Sequence, residues 1–300
     1  MLIAVTGARG QVGRAVVKEL LEHGHRVRAL MRTPWPECPE VCERVENLDL
    51  TDFDGVKQAI EGCDAVIHIA NIPGPMDDNR PETFVNNITV NFNVMMACGL
   101  LGIDRVAFAS STCAGGYCRN YHYPAPPAFP LTEESPACPD DTYGISQLAR
   151  ELVAGRLCQR FPSLRVCSLR ISWVTGESFY TEDAARLDRE KPLRGYYGNL
   201  GTYVDERDAA SAFRLAVEVP FDRVPAGAHV YYICHPQTRS PAPMTEFLAR
   251  EFPGVPVREG TGPFDALESS QKAKRELGWE ARNSWRQAVD SLSAAEGPRS

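Results

Sequence analysis

Apolar residues along the chain fall into two alternating kinds of run. Short stretches rich in β-branched and aliphatic residues occur at Leu2–Thr6, Arg26–Met31, Ala65–Ala70 and Arg105–Ser110. Between them lie amphipathic segments with helical spacing, such as Arg14–His23 and Asn87–Leu101. A third short strand is expected to end at residues 47–50. The alternation predicts right-handed crossovers and an α/β fold with a doubly wound parallel sheet. The pattern resumes with a helix over Tyr143–Arg160 and a strand over Leu164–Ile171. Beyond residue 226 it predicts a strand (Ala228–Cys234), a helix (Met244–Phe252), a short strand (Val255–Arg258) and terminal helices, read as a small lobe closing over the sheet edge. The expected division is residues 1–171, with 203–225 returning to the sheet, against a lobe made of 172–202 and 226–300.

Two stretches break the alternation. Residues 113–142 hold six prolines, and a loop of that length inside a compact domain is usually functional or mobile. Residues 176–202 carry Phe179, Tyr180, Tyr196 and Tyr197. The 300 residues and 33.1 kDa suit one α/β unit with an appended lobe. A net charge of −7 argues against a nucleic-acid or anionic-membrane partner. No apolar run approaches the ~20 residues that span a bilayer, and the apolar N-terminus runs directly into a glycine turn, as a strand does. The ten cysteines are scattered without CxxC or zinc spacing, so reduced thiols in a cytoplasmic protein are expected. Lysine is scarce: only Lys18, Lys57, Lys191, Lys272 and Lys274 occur.

The sharpest local signal is Thr6-Gly7-Ala8-Arg9-Gly10-Gln11-Val12-Gly13, which follows the first strand and opens a helix. Gly7 permits the tight turn, Gly10 lets the backbone approach a pyrophosphate, and Gly13 lets helix and strand pack closely. The helix N-terminus at Gln11 and Val12 then offers free N–H groups to an anion. This predicts a Rossmann-like dinucleotide site. At the end of the second strand an NAD site places a carboxylate for the ribose 2′-hydroxyl, whereas here Arg32 stands there and Arg9 lies in the turn. Guanidinium groups pair bidentately with phosphate, so NADP(H) is the expected cofactor. Asp49 is a candidate partner for the adenine amino group.

The chain resembles the extended short-chain dehydrogenase/reductase family, also called NAD-dependent epimerase/dehydratases, over nearly its whole length. The resemblance rests on the glycine turn, Asp64–Asn71, Asn87, Phe108–Thr112, Tyr143-Gly-Ile-Ser-Gln147, Leu169–Gly176, Tyr203–Asp208 and Glu276-Leu-Gly-Trp279. It implies that Leu50, Ala70, Asn71, Asn87 and Ser110 also border the cofactor, and that Ser111 or Thr112 holds the substrate oxygen. It further implies that Tyr143 exchanges a proton and that the helices Asn87–Leu101 and Tyr143–Arg160 pair in a homodimer. His68 reads as structural, and Asp140 and Asp141 as caps of the tyrosine helix.

Two departures shape the expected activity. The family places a lysine four residues after the tyrosine to hold the nicotinamide ribose, and position 147 is Gln147. An ammonium ~5 Å from a phenol is worth about 3 kcal/mol at an effective dielectric of ~20, or about two pKa units. Glutamine can still bond the ribose but lacks that charge, which hurts alcohol oxidation more than carbonyl reduction. Arg119 or Arg150 could lend charge instead. Second, nucleotide-sugar enzymes of the family place Asn where this chain has Trp173. With Phe179, Tyr180 and Tyr197, Trp173 suggests a small, partly aromatic substrate. The expected activity is an NADP(H)-dependent ketoreductase of specialised metabolism; a nucleotide-sugar epimerase or dehydratase and a non-catalytic NADP(H)-binding sensor or scaffold are the alternatives.

Overall fold

The structure is a computed structural model that describes residues 1–74, 81–118, 124–176, 200–240 and 242–288. Strand β1 (Leu2–Thr6) is buried along its whole length, and its side chains divide by alternation: Ile3 and Val5 enter one core, Leu2 and Ala4 the other. Strands β2 (Arg26–Leu30), β3 (Glu43–Val45), β4 (Ala65–His68), β5 (Arg105–Ser111), β6 (Arg165–Ile171) and β9 (Gly227–Ile233) join it in a seven-stranded sheet of order β3-β2-β1-β4-β5-β6-β9. All its pairings are parallel. Strands β7 (Trp173–Thr175) and β8 (Tyr203–Asp205) form a separate pair.

Helices cover both faces. On one, α1 (Gln11–Glu22) packs with α5 (Glu206–Glu218) and α7 (Gln271–Leu277) around Val16, Leu20, Phe213, Val217 and Trp279. On the other, α2 (Phe53–Ile60), α3 (Pro81–Leu101) and α4 (Thr142–Arg160) bury Val56, Ile60, Val94, Met95, Ala154 and Leu157. Helix α3 is long and apolar enough to cross a membrane, yet half of that stretch is buried inside the protein. Its buried Asn87, Asn91 and Asn93 mark it as a core helix between α2 and α4.

Three expectations change. The third strand ends at Val45, before residues 47–50, because Asn47 turns the chain at φ 59°; Asp49 therefore sits in the following loop. The strand expected at Ala228–Cys234 is not part of the lobe: as β9 it pairs with β6 from Arg165↔Gly227 to Ile171↔Ile233 and closes the sheet. The segment Val255–Arg258 contributes only a bridge from Val257 to Phe129. That bridge belongs to a third core, in which Tyr117, Phe129 and Leu131 of the proline-rich stretch pack with Leu200, Met244, Phe247 and Phe252. α6 (Thr245–Glu251) supplies part of it. Where described, residues 113–142 are thus woven into the lobe, and Glu133 accepts a hydrogen bond from the Tyr232 N–H at 2.8 Å.

Candidate active site

Strand order reverses between β1 and β4, so the crossovers leave a crevice beyond the strands' C-terminal ends there. A cavity of about 520 Å³ opens at that point. Its walls include Gly7, Gly10, Gln11, Val12 and Gly13 of the turn, Arg32, Asp49 and Leu50, then Ala70, Asn71, Ser110 and Tyr143. Sequence reasoning did not single out Met31, Leu48, Ile69, Ile72 and Asn86, which also face it. Met31, Leu48, Ile69 and Ile72 adjoin predicted positions and carry no polar signature, and Asn86 is the helix neighbour of Asn87, to which it donates at 3.2 Å.

The turn is shaped by what is absent. Gly7 has φ +69°, and a Cβ there would meet the Ala70 backbone nitrogen at 2.9 Å; a Cβ on Gly13 would lie 2.1 Å from the Gly7 carbonyl oxygen. Gly10 caps α1 with no side-chain bond, which leaves the first-turn N–H groups to the cavity. Gln11 donates to Glu206 at 2.9 Å. Arg32 is exposed at the cavity wall, and Arg9, also exposed, is tied to Thr33 at 2.6 Å. The Asp49 carboxylate accepts bonds from the Thr51 N–H and hydroxyl, which hold it below its ordinary pKa, with a smaller contribution from the Arg32 charge.

Across from the turn, α4 presents Tyr143. Asp141 caps the helix by accepting from the Gly144 N–H at 2.9 Å. The Tyr143 hydroxyl accepts a long 3.5 Å contact from Asn71 Nδ2, while Asn71 Oδ1 is buried with no partner among the described residues. Asn87 is not on the cavity wall: its amide grips Ile72 at both N–H (2.9 Å) and carbonyl (3.0 Å). It therefore holds the segment that lines the cavity. Ser110 faces the cavity, but its hydroxyl donates to Glu151 at 2.6 Å, and Glu151 binds Arg170 at 2.7 Å. Ser111 and Thr112 are buried and are not on the cavity wall: Ser111 accepts from the Cys113 N–H at 3.2 Å and keeps its own proton to donate, and Thr112 contacts Cys118 Sγ at 3.5 Å.

Gln147 departs from its expected role. It is fully buried and away from the cavity wall, with Oε1 accepting from Arg150 Nη1 at 2.6 Å and Nε2 without a partner among the described residues. Arg150 is fully buried as well, donates to the Ala109 carbonyl at 2.8 Å and lies over the Phe108 ring at 5.0 Å. Burial lowers its guanidinium to about 10, partly offset by Tyr143 and Glu151, so it is charged at neutral pH. His68 is structural: Thr6 bonds its Nδ1 at 2.6 Å, and burial, then the Arg150 charge, lowers its pKa to about 3.

Trp173 on β7 lies outside the cavity wall, 37% exposed, with the Arg239 guanidinium 3.8 Å from its ring centre. Phe179, Tyr180, Tyr196, Tyr197 and Arg119 lie outside the described residues. Among the described residues no His, Cys, Asp and Glu cluster can hold a metal.

The family profile described as NAD dependent epimerase/dehydratase matches residues 3–227. The chain belongs to this family. Among its relatives, an L-arabinose 1-dehydrogenase (NAD(P)(+)) of Haloferax volcanii is 29% identical over 76% of this chain and 87% of that enzyme. Cinnamoyl-CoA reductase 1 of Petunia hybrida is 28% identical over 85% of this chain and 79% of the reductase. The solved structure of MoeE5 in complex with UDP-glucuronic acid and NAD is 25% identical, superposes with a TM-score of 0.69 and covers 97% of both chains. Homologues of this epimerase/dehydratase-family chain are thus dehydrogenases, reductases and epimerases, and a nicotinamide dinucleotide is the family's cofactor. The residues present fit it: Gly7 and Gly13 admit no side chain, the α1 N-terminus is uncapped, and among the described residues the buried Asn71 Oδ1 has no donor at the wall.

Proposed function

We propose that this chain is an NADP(H)-dependent carbonyl reductase acting on a small, partly aromatic metabolite. The observation that carries the reading is the phenol of Tyr143 at the wall of the cavity that the glycine turn also lines. A protonated phenol gives a proton readily to a carbonyl oxygen that is becoming an alkoxide, whereas abstracting a proton from an alcohol needs a base already ionised. The Gly7–Gly13 turn and Arg32 would hold NADPH in the cavity, and the bound cofactor would supply the hydride for the carbonyl carbon. The Ser111 or Thr112 hydroxyl donates a hydrogen bond to the carbonyl oxygen, and Tyr143 delivers the proton that completes the alcohol. Asn71 positions the phenol, and Asn87 fixes the Asn71 segment through Ile72.

Arg32 at the wall, with no carboxylate ending β2, supports NADP(H) over NAD(H). The exposed indole of Trp173 beneath Arg239 supports a substrate with an aromatic face. Ten free cysteines support a reducing, cytoplasmic setting. Exposed Val85 and Leu100 on α3 with Ile145 and Leu152 on α4 support a homodimer, checked by light scattering for twice 33.1 kDa. The test of the cofactor assignment is a fluorescence titration. NADPH is expected to bind at least about tenfold more tightly than NADH, since one charge-assisted phosphate pair is worth ~1.5–3 kcal/mol; equal affinities refute it.

A further inference from the structure

We propose that Arg150 is the cation that serves Tyr143, taking over at one remove the charge that the family's lysine carries at position 147. The inference rests on Tyr143 being the proton donor and deepens that assignment. Residues 143, 147 and 150 follow one another at spacings of four and three, so they share a face of α4. Arg150 is fully buried, yet among the described residues no carboxylate pairs with it. It holds only two neutral oxygens, on Gln147 and Ala109, and its Nε has no partner. A buried cation whose neighbouring carboxylate, Glu151, is already engaged by Arg170 is costly to keep. A fold that needed only to tether Ala109 and Gln147 could do so with neutral groups. A negative charge appearing nearby repays the cost, and one appears on Tyr143 whenever it gives up its proton. Arg150 and Tyr143 already interact electrostatically.

The other charged groups facing this pair are accounted for. From β4, His68 is held neutral by burial. From α4 itself, Glu151 acts on Arg150, but Arg170 of β6 holds it at 2.7 Å. From α3, the sole charged residue is Glu82, in its first turn. From β5, Arg150 meets only the Phe108 ring and the Ala109 carbonyl. Gln147 is then an intermediary: its carbonyl fixes the guanidinium, which acts on the phenol as a positioning residue and not by contact with the reacting atoms.

The test is a tyrosinate absorbance titration, with and without NADP(H). Each protein is read as the difference from its Tyr143→Phe counterpart, so that Tyr143 alone is followed. Arg150→Met is expected to move the Tyr143 midpoint up by about one pH unit, and Arg150→Lys to leave it near the original value. The double variant Gln147→Lys with Arg150→Met restores a cation at the family position and is expected to bring the midpoint back. An unmoved midpoint in Arg150→Met, or a raised one that the added lysine does not lower, overturns the proposal. If Arg150→Met fails to fold, the other two variants decide, and a midpoint above the parent protein's in both overturns it. The titration needs no substrate. A protein that reduces no carbonyl can still pass it, and a protein that fails it can still be a reductase.

Discussion

The glycine turn after β1 and the tyrosine face of α4 serve one cavity but are built in opposite ways. The turn works through missing side chains: Gly7 and Gly13 bring backbone against backbone, and the ligand-binding groups are N–H donors at a helix end. The α4 face works through buried side chains, with Tyr143, Gln147 and Arg150 stacked along one helix and a charge kept far from water. A backbone site is specified by local spacing and tolerates almost no substitution. A side-chain site can move its charge from one position to another and still perform the same task.

The comparison breaks most visibly at the turn. Gly13→Val puts a branched side chain where even a Cβ would lie 2.1 Å from the Gly7 carbonyl. Because both partners are backbone, no rotamer relieves the clash, and calorimetric titration is expected to show NADPH binding weakened by at least about 100-fold, for a cost of ~3 kcal/mol. Retained binding would mean the turn is not the cradle. At the α4 face the loss is expected in rate instead: Tyr143→Phe lowers carbonyl reduction by about 10²–10⁴-fold with the NADPH dissociation constant unchanged. Wild-type turnover would remove Tyr143 from the chemistry.

Smaller effects sharpen the contrast. Arg32→Ala is expected to weaken NADPH by about 10–100-fold and leave NADH within about twofold, read by the same titration. The two halves of the molecule also carry opposite pH signatures. His68, beside the cavity, falls from 6.5 to about 3 on folding because of burial. The unfolded chain therefore takes up the proton first, and stability drops as pH falls below 6.5. Glu268, bridged to Leu131 and hydrogen bonded by Thr202, is pushed by burial from 4.5 to about 8. Here the fold retains a proton that the unfolded chain releases, so stability drops as pH rises from 4.5 towards 8. Each contributes a slope of up to about 1.4 kcal/mol per pH unit. Urea unfolding of Glu268→Gln is expected to flatten the limb between pH 6.5 and 8; an unchanged limb would place the alkaline loss elsewhere.

The same contrast explains what the chain revealed before folding. Strands β1, β2, β5 and β6, helices α1 and α4, the glycine turn and the Asp141 cap were all legible, because each follows from periodicity or a fixed local spacing. Strand β9 was misplaced in the lobe, since nothing local in Ala228–Cys234 says that it returns to β6 across the space of β7, β8 and α5. The end of β3 was misplaced because a positive φ at Asn47 leaves no apolar trace. Residue types at 71, 87, 110 and 147 were readable, but their partners were not. Asn87 spends its amide on Ile72, Ser110 its hydroxyl on Glu151, and Gln147 its carbonyl on Arg150. Those pairings are decided by packing between α3, α4 and the sheet, not by spacing along the chain.

The central claim is that the cavity reduces a carbonyl with NADPH, and a coupled absorbance assay addresses it directly. The purified protein is mixed with NADPH, or with NADH, and challenged with a panel of aromatic ketones and aldehydes alongside nucleotide sugars. The account predicts NADPH consumption matched mole for mole by alcohol formed from an aromatic carbonyl, abolished to background by Tyr143→Phe. Turnover of nucleotide sugars alone, with no carbonyl on the panel reduced, would contradict it and return Trp173 to a structural role.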